Sequence, residues 1–370
     1  MLIVVLGGNV RSIVANRGDL IRSWVGLGHE VHVIVPRNDW NASIDSLPVR
    51  WTTVSLQRTG VSPIADLKCI AEVRGVIRRL KPDIVFSYNA KPVIYGSIAA
   101  AIEGVPRIFS LITGLGYARS PKTPKQKLAA RVQEDLYRVA LKYNSAVFFQ
   151  NPDDEQYFLR KHLLSTSVPS VVVNGSGVNL EQFPLTLPIP TDPVVFVFVA
   201  RLLVSKGVIE FVEAARRLHS TGAKFVVVGP YDPELPDAVP CSFVEQLERG
   251  EAVTWVGGVT DVRPYLAQAS VFVLPSSYGE GTPRAILEAL SMGRAVITTD
   301  APGCRETVVH GENGFLVPMG DVDALVDAMR KFIEDRGLIR EMGLASRRLA
   351  ERKYDVRLVN EVISRTMGLL

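Results

Sequence analysis

The sequence has 370 residues, of which 47% are hydrophobic and 22% charged, with a formal net charge of +4. This length is large for a single core and suits two domains, and the lack of low-complexity or periodic segments argues against disorder or a solenoid. The three cysteines, Cys69, Cys241 and Cys304, show no metal-ligand spacing and leave one thiol over from any pairing, which favours a reducing cytoplasm.

The charge is distributed unevenly along the chain. Residues 1–185 contain 22 Lys/Arg against 14 Asp/Glu, whereas residues 186–370 contain 20 against 24. A basic half is compatible with nucleic-acid binding, but it contains no basic motif interleaved with aromatic residues. A phosphate-bearing acceptor or an anionic lipid surface explains the charge as well, and we expect no nucleic-acid partner.

The first half alternates apolar runs with helical patterns. Its opening run, 1–6, lacks a basic leader and is too short for a signal peptide or a membrane-spanning helix, so it predicts a first strand. The alternation predicts a doubly wound parallel sheet. The predicted strands are 2–6, 31–35, 84–87, 107–111, 146–150 and 170–173, and the predicted helices are 17–27, 64–80, 93–103, 125–143 and 153–162.

A second series of the same kind follows a proline-rich segment. Pro184, Pro188, Pro190 and Pro193 indicate a linker. Neither half carries the three-glycine dinucleotide fingerprint, so a dehydrogenase is disfavoured. Neither half carries the lysine-bearing phosphate loop of ATPases. The predicted strands of the second series are 194–200, 225–228, 253–256, 271–274, 295–298 and 314–317, and the closing helices are 322–335, 338–353 and 356–370.

Two cations follow the first strand of this second series. Arg201 and Lys206 come directly after the apolar run 194–200, and Gly207 allows the chain to turn into a helix. A planar guanidinium and a compact ammonium group together suit a diphosphate leaving group. The negative charge of such a group grows as its bond to a sugar breaks. The alternative is a pair of surface cations beside a helix start.

Two carboxylates lie eight positions apart in the segment from Ser277 to Glu288. Glu280 follows the buried strand 271–274, at the end where open α/β sheets bind ligands, and Glu288 falls in the next predicted helix, 284–292. The free N–H groups of the turn and of the helix start form an anion site. The pattern indicates a nucleotide-sugar site, with solvated surface charge as the alternative for either glutamate.

These segments together resemble the family-four retaining glycosyltransferases, in the branch that builds capsule, O-antigen and lipid-linked oligosaccharides. The resemblance covers nearly the whole chain, is most specific between Val194 and Pro318, and rests on segments 200–207, 272–276, 280–288, 293–300, 302–306 and 311–317. It implies the GT-B fold, in which two Rossmann-like doubly wound parallel-sheet domains face an interdomain cleft. The expected parts are an acceptor-binding domain (1–182), a linker (183–193), a nucleotide-sugar-binding domain (194–354) and a final helix (355–370) that crosses back to the first domain.

The resemblance also implies roles for the donor-side residues. Arg201 and Lys206 would grip the diphosphate, Glu280 would face the sugar, and Glu288 would accept hydrogen bonds from the ribose hydroxyls. The catalytic set is therefore predicted to be Arg201, Lys206 and Glu280. The remaining donor-binding residues are predicted to be Gly8, Gly229, Val259, Gly281, Thr282, Pro283, Arg284 and Glu288, with Gly8 equally explained by a tight structural turn.

The acceptor side is predicted to involve Arg17, Asn89, Lys91 and Thr113. Thr113 occupies the position at which many relatives place a histidine, and a threonine is no base near neutral pH, so only hydrogen bonding or shape is open to it. Asn89 and Lys91 follow a predicted strand end, with a solvated loop as the alternative. Arg17 lies in a segment expected to open a helix, and a capped surface helix start is the alternative there.

The function implied is transfer of a hexose-type sugar, with retention, from a nucleotide diphosphate, preferably UDP, to a polyprenyl-diphosphate-linked or other glycan acceptor at the inner membrane face. No metal or other cofactor is expected. The basic segment 119–127 would meet an anionic membrane peripherally, with a solvated loop as the alternative. A nucleotide-sugar epimerase of the same fold and a non-catalytic sugar-nucleotide-binding subunit are the alternative functions.

Overall fold

The structure is a computed structural model that describes residues 1–37, 41–56, 63–115, 123–235, 237–250 and 252–370, without the side chains of residues 41, 63 and 125. The chain divides into two compact units. Unit 1 comprises Met1–Gly177 with Val356–Leu370, and unit 2 comprises Val178–Asp355.

Thirteen strands lie in the described residues, all paired in parallel within two sheets. Unit 1 has β1 (Leu2–Gly7), β2 (Glu30–Pro36), β3 (Arg50–Val54), β4 (Ile84–Tyr88), β5 (Arg107–Ile112), β6 (Ala146–Phe149) and β7 (Ser170–Val172). Unit 2 has β8 (Val195–Val199), β9 (Lys224–Val228), β10 (Thr254–Gly257), β11 (Val271–Leu274), β12 (Ala295–Thr299) and β13 (Gly314–Val317).

The α-helices follow the strands in the order expected of a βα series. They are α1 (Val10–Ser12), α2 (Gly18–Gly26), α3 (Pro63–Leu80), α4 (Ala90–Ile102), α5 (Pro124–Ala140), α6 (Pro152–Arg160), α7 (Val208–Leu218), α8 (Cys241–Arg249), α9 (Arg263–Gln268), α10 (Arg284–Ser291), α11 (Val322–Glu334), α12 (Gly337–Leu349) and α13 (Val356–Thr366). Within the described ranges, no helix has the combination of length and apolar character that crossing a bilayer requires.

Unit 1 buries both faces of its sheet because alternate strand residues point to opposite sides. Val4 of β1 contributes to one core, which α3, α4 and α5 help to cover, and Val5 contributes to the other. Helices α2 and α13 pack together on this second face, where Trp24 Nε1 donates a hydrogen bond to Ser364 Oγ at 3.0 Å and Ile363 is fully buried. The closing helix is therefore part of the core of unit 1.

The strand order places a topological switch point in each unit. The order is β3-β2-β1-β4-β5-β6-β7 in unit 1 and β10-β9-β8-β11-β12-β13 in unit 2. The chain thus leaves β1 in one direction and later crosses to β4 on its other side, and β8 and β11 have the same relation. Ligands of open α/β sheets bind beyond the carboxyl ends of such strand pairs, so a ligand is expected beside the loops after β1, β4, β8 and β11.

The prediction of two doubly wound parallel sheets is confirmed, and the predicted strands agree with the structure within about one residue at either end. The edge strand β3 and the helices α8 and α9 were not predicted. The start of the first helix was predicted wrongly: helical structure begins at Val10, where the Asn9 side chain caps it, and continues through a π-helical turn, Ile13–Arg17, into α2. Arg17 therefore lies inside a helical segment and is buried, rather than at a surface helix start.

Candidate functional site

The loop after β8 carries the two predicted cations of unit 2. Lys206 ends a short 3-10 turn, Val204–Lys206, and Gly207 follows with φ of 79°. A Cβ at Gly207 would lie 2.2 Å from the carbonyl oxygen of Pro275, so only glycine permits this contact with the segment after β11. The turn is held to that segment by Ser205, whose carbonyl accepts from Ser277 N at 2.8 Å. The switch point thus brings two loops into direct contact.

Lys206 and Glu280, which are far apart in the sequence, form an ion pair between Nζ and Oε1. The two side chains are only 13% and 11% exposed. Lys206 Nζ also lies 5.0 Å from the ring centroid of Tyr278, and Ser276 Oγ donates to Glu280 Oε1 at 3.4 Å. The ammonium group is therefore oriented by a carboxylate and an aromatic ring before any substrate arrives.

Arg201 lies two residues beyond the end of β8 and is partly buried. Within the ranges that the structure describes, its guanidinium group makes no ion pair or hydrogen bond. A half-buried cation without a protein partner is free to bind an anion, whereas Lys206 is already paired. The loop after β8 therefore offers one uncompensated positive charge together with one oriented ammonium group.

A second ion pair lies within α10. Arg284 Nε donates to Glu288 Oε1 at 2.7 Å across one helical turn, with side chains 21% and 12% exposed. Burial raises the pKa of the Glu288 carboxyl above its ordinary value, the Arg284 guanidinium opposes this, and the Asp261 carboxylate adds a smaller upward effect. Glu288 is thus a mostly buried acceptor whose ionised form depends on its neighbours.

The turn between Glu280 and α10 is supported by the loop after β12. Gly281, Thr282 and Pro283 are buried, and Pro283 is the N-cap residue of the helix. Gly303 has φ of 84°, and a Cβ there would lie 2.3 Å from the carbonyl oxygen of Gly281. The loop after β12 therefore fixes the backbone of the turn through a contact that only glycine allows.

Several supporting residues of this site were not identified from the sequence. Ser276 and Tyr278 contact the ion pair, Thr299 Oγ1 donates to the Ser276 carbonyl, and Gly303 supports the turn. Hydroxyl and ring contacts of this kind depend on the strand pairing of β11 with β12, which the sequence alone does not supply. Only the glycine, which follows a proline just after a strand, leaves a readable signal.

The predicted donor-binding residues Gly229 and Val259 lie on adjacent segments of unit 2. Gly229 N donates to the Gly257 carbonyl at 2.8 Å, and Trp255 Nε1 donates to the Gly229 carbonyl at 3.0 Å. A Cβ at Gly229 would lie 1.7 Å from the Ala200 carbonyl oxygen, so a side chain has no room there. Val259 is partly buried against the core. Gly229 and Val259 therefore belong to one backbone-lined surface beside the end of β8.

In unit 1, three of the predicted residues lie together beyond β1, β4 and β5. Asn89 Nδ2 donates to Thr113 Oγ1 at 2.9 Å, and a Cβ at Gly8 would lie 3.7 Å from Asn89 Oδ1. Asn89 has φ of 71° and ψ of 157°, a backbone region that residues other than glycine rarely adopt. These residues form a small polar cluster at the switch point of unit 1.

The other two acceptor-side residues have neighbours of their own. The Arg17 guanidinium lies 5.2 Å from the ring centroid of Tyr88, a buried residue whose pKa burial raises to about 12. Lys91 Nζ forms an ion pair with Asp66 Oδ1 at 3.0 Å. Lys91 is therefore partly neutralised in this structure.

Two further observations concern the predictions about metal binding and about the basic segment 119–127. Across these ranges, no cluster of three His, Cys, Asp or Glu side chains has the arrangement of a metal site. Of the basic segment 119–127, Arg119 and Lys122 and the side chain of Lys125 lie outside the described residues, whereas Lys127 is described and exposed.

Comparison with known proteins identifies relatives of both units. A glycosyl transferase 4-like domain matches residues 14–175, and the glycosyl transferases group 1 family matches residues 193–335. The chain is 29% identical over 340 residues to an N,N'-diacetylbacillosaminyl-diphospho-undecaprenol alpha-1,3-N-acetylgalactosaminyltransferase of Campylobacter jejuni, with 88% of each chain covered. It is 28% identical over 292 residues to a UDP-Gal:alpha-D-GlcNAc-diphosphoundecaprenol alpha-1,3-galactosyltransferase of Escherichia coli, covering 75% of this chain and 73% of that one.

Solved structures resemble the whole chain. The structure of HepE from Anabaena in complex with UDP superimposes with a TM-score of 0.80 at 19% identity, with 100% of each chain covered. At this identity the structural similarity shows the fold alone, and it confirms the predicted two-domain GT-B class.

Proposed function

Because the chain belongs to the group 1 glycosyl transferases with a 4-like N-terminal domain, we propose that it moves a hexose-type sugar from UDP to a diphosphate-linked polyprenyl glycan, with retention at the anomeric carbon. The single observation that carries this proposal is the pairing of Lys206 with Glu280 at the switch point of unit 2, where Arg201 has no ion-pair partner among the described residues. This is where an open parallel sheet binds its ligand.

The donor half of the proposal follows from charge. As the sugar bond breaks, negative charge develops on the departing diphosphate, and oriented cations in a partly buried site stabilise it strongly. Arg201 would supply the uncompensated charge, and Lys206 would supply an ammonium group already held by Glu280. Such a site needs no reorganisation at the moment of transfer, which is the condition for efficient electrostatic catalysis.

Glu288 and the turn before α10 would bind the two sugars of the donor. The mostly buried carboxylate of Glu288 would accept hydrogen bonds from the ribose hydroxyls, and Arg284 opposes the rise in its pKa that burial causes. Glu280 would face the transferred sugar, and the buried turn at Gly281 and Thr282 would present backbone N–H groups to it. The surface around Gly229 and Val259 would hold the base.

Retention requires the acceptor to attack the face of the sugar from which the diphosphate leaves, and this route needs no enzyme base at Thr113. A hydroxyl group bonded to Asn89 at 2.9 Å cannot take a proton from the acceptor near neutral pH. The leaving phosphate would then take the acceptor proton on the same face of the sugar, and the protein would contribute orientation and charge stabilisation. No metal or other cofactor enters this scheme.

The acceptor and the location are proposed from the relatives. The names of both curated relatives specify acceptors linked through a diphosphate to undecaprenol, and one name specifies UDP-Gal as the donor. A lipid-linked acceptor of this chemistry would place the protein peripherally on the inner face of the cytoplasmic membrane. Surface-polysaccharide assembly is the setting that we propose.

One experiment tests the function directly. The protein is incubated with UDP-, GDP- and TDP-sugars, with and without a polyprenyl-diphosphate-linked sugar, and nucleotide release and product mass are followed. Release only with acceptor supports transfer, and the anomeric configuration of the product, read by NMR, tests retention. Release of an isomerised sugar without acceptor would instead support an epimerase, and binding without turnover would support a silent subunit.

A further inference from the structure

The outer face of α5 carries a row of exposed apolar side chains. Leu128, Val132, Leu136 and Val139 are 67%, 41%, 39% and 48% exposed, and their spacing of four, four and three places them along one side of the helix. The helix packs on α4 and buries Ala130, Tyr137 and Ala140, which lie on a different side. This helix therefore has two apolar sides, of which only one is used inside unit 1.

A basic row runs beside the apolar one. Lys127, Arg131 and Arg138 each precede a member of the apolar row by one position, so they lie along an adjacent side of the helix. Arg138 is paired with Asp135, but among the described residues Lys127 and Arg131 have no ion-pair partner. The first two turns of α5 thus combine exposed apolar side chains with uncompensated positive charge.

The first turns of α3 repeat this combination. Ile64 and Leu67 are 84% and 67% exposed, and Lys68 beside them is exposed as well. Helices α3 and α5 both pack on α4, and each follows a strand of the same parallel sheet. Their N-terminal ends therefore lie at the carboxyl edge of that sheet, which is also the edge of Asn89 and Thr113.

We propose that the outer face of α5, extended by the first turns of α3, docks on an anionic lipid bilayer. Helices that lie in a membrane interface carry this combination of an apolar row and a flanking basic row. The charge argues for a bilayer rather than a second copy of the chain, because a symmetric pairing through this face would bring two copies of the same basic row into one interface. An anionic surface would compensate them.

Docking would hold the acceptor edge of unit 1 against the lipid that carries the acceptor. Only this purpose of the docking rests on the proposed function. The docking itself needs neither donor nor acceptor. Each basic residue near an anionic surface contributes about five-fold to the partition coefficient, and the apolar row adds to this.

Sedimentation with vesicles tests the docking in the absence of any substrate. The protein is mixed with phosphatidylcholine vesicles that contain or lack phosphatidylglycerol. We expect binding to the anionic vesicles, weakened by about ten-fold or more in Leu128→Gln/Val132→Gln and by about twenty-five-fold or more in Lys127→Glu/Arg131→Glu. Leu358→Gln/Val362→Gln is the matched control, because both residues are 43% exposed and one turn apart on α13, and it should bind as the wild type does.

A labelling scan identifies the face that enters the lipid. Cys241, the one exposed cysteine among the described residues, is first changed to serine, and an environment-sensitive fluorophore is then attached after Leu128→Cys, Val132→Cys, Val139→Cys or, on α13, Val362→Cys. We expect a blue shift on adding anionic vesicles at the first three positions and none at Val362. A uniform response, or none at Leu128 and Val132 while the protein sediments with vesicles, would overturn the proposal.

Two other results would also overturn it. One is a wild-type protein that does not bind anionic vesicles, and the other is a concentration-dependent dimer that is lost in Leu128→Gln/Val132→Gln. Either result leaves the proposed function intact if the same preparation transfers sugar to a short, water-soluble acceptor. Failure on that acceptor would count against the function instead.

Discussion

The ion pair between Lys206 and Glu280 allows a quantitative test of the site. Both side chains are nearly nine-tenths buried, at 13% and 11% exposure. Removing one partner of a buried pair leaves a charge without compensation and typically costs about 3–5 kcal/mol. Since Ser276 also donates to Glu280 and the pair retains some solvent contact, we expect Lys206→Ala or Glu280→Ala to lower the free energy of unfolding by about 3 kcal/mol.

The double variant should lose less than the sum of the two single losses. We expect a coupling energy of about 2 kcal/mol from chemical denaturation of the wild type, both single variants and Lys206→Ala/Glu280→Ala. The matched control is the exposed pair of Arg330 and Asp327, at 49% and 68% exposure, where the same cycle should give about 0.3 kcal/mol.

Turnover separates catalysis from stability in the same variants. Loss of one oriented electrostatic group typically lowers kcat about 10²- to 10³-fold, so Lys206→Ala should lose that much at a temperature where it remains folded. The assay is nucleotide release with saturating donor and acceptor. A coupling energy indistinguishable from that of the control pair, together with unchanged kcat, would refute the reasoning about both the pair and its role.

Three further predictions concern the residues around this pair. Burial raises the pKa of Glu288, so the folded chain holds that proton more tightly than the unfolded chain does. The free energy of unfolding should therefore fall as the pH rises from the ordinary pKa of a glutamate through the raised one. Glu288→Gln should remove this fall, measured by thermal unfolding across pH, and should also weaken UDP binding, measured by calorimetry. Gly303→Ala should destabilise the protein and weaken donor binding. The control is Gly311→Ala, at a nearly equal φ of 83° but with open space around the added Cβ, which should lower the free energy of unfolding only by the backbone cost of about 1 kcal/mol. Equal losses of stability in the two variants, measured by chemical denaturation, would contradict the proposed contact. Thr113→Val should lower the free energy of unfolding by about 1 kcal/mol through loss of the bond to Asn89, and Thr113→Ser should restore it; a Thr113→Val protein as stable as the wild type would argue against that bond.

The sequence predicts the strands well where burial is complete. The strand β11 consists of four buried apolar residues, and its predicted bounds agree with the structure. The edge strand β3 was not predicted because most of it is only partly buried, so residues such as Thr52 and Thr53 give no apolar run. The short helix α9 and the amphipathic helix α8 both begin without a side-chain N-cap hydrogen bond.

Local sequence patterns predict the position of some site residues and give no information on others. Lys206 and Glu280 each follow a buried strand, which predicts that both lie at one end of a sheet, and the structure brings them into contact. The pair of Lys91 with Asp66 was not foreseen, because the partners are on different helices and nothing local links them. Side-chain pairing across elements depends on packing, which a single sequence does not specify.

Helix α13 has a consequence for the order in which the protein is synthesised and folds. Val359 and Ile363 fill the core of unit 1 beside Trp24, although they follow the whole of unit 2 in the chain. While a ribosome is making residues 178–355, the nascent first unit has an uncovered apolar face around Trp24. Unit 2 is continuous in the chain and can fold as it emerges, whereas the first unit stays exposed to misfolding and chaperone binding until its last helix arrives.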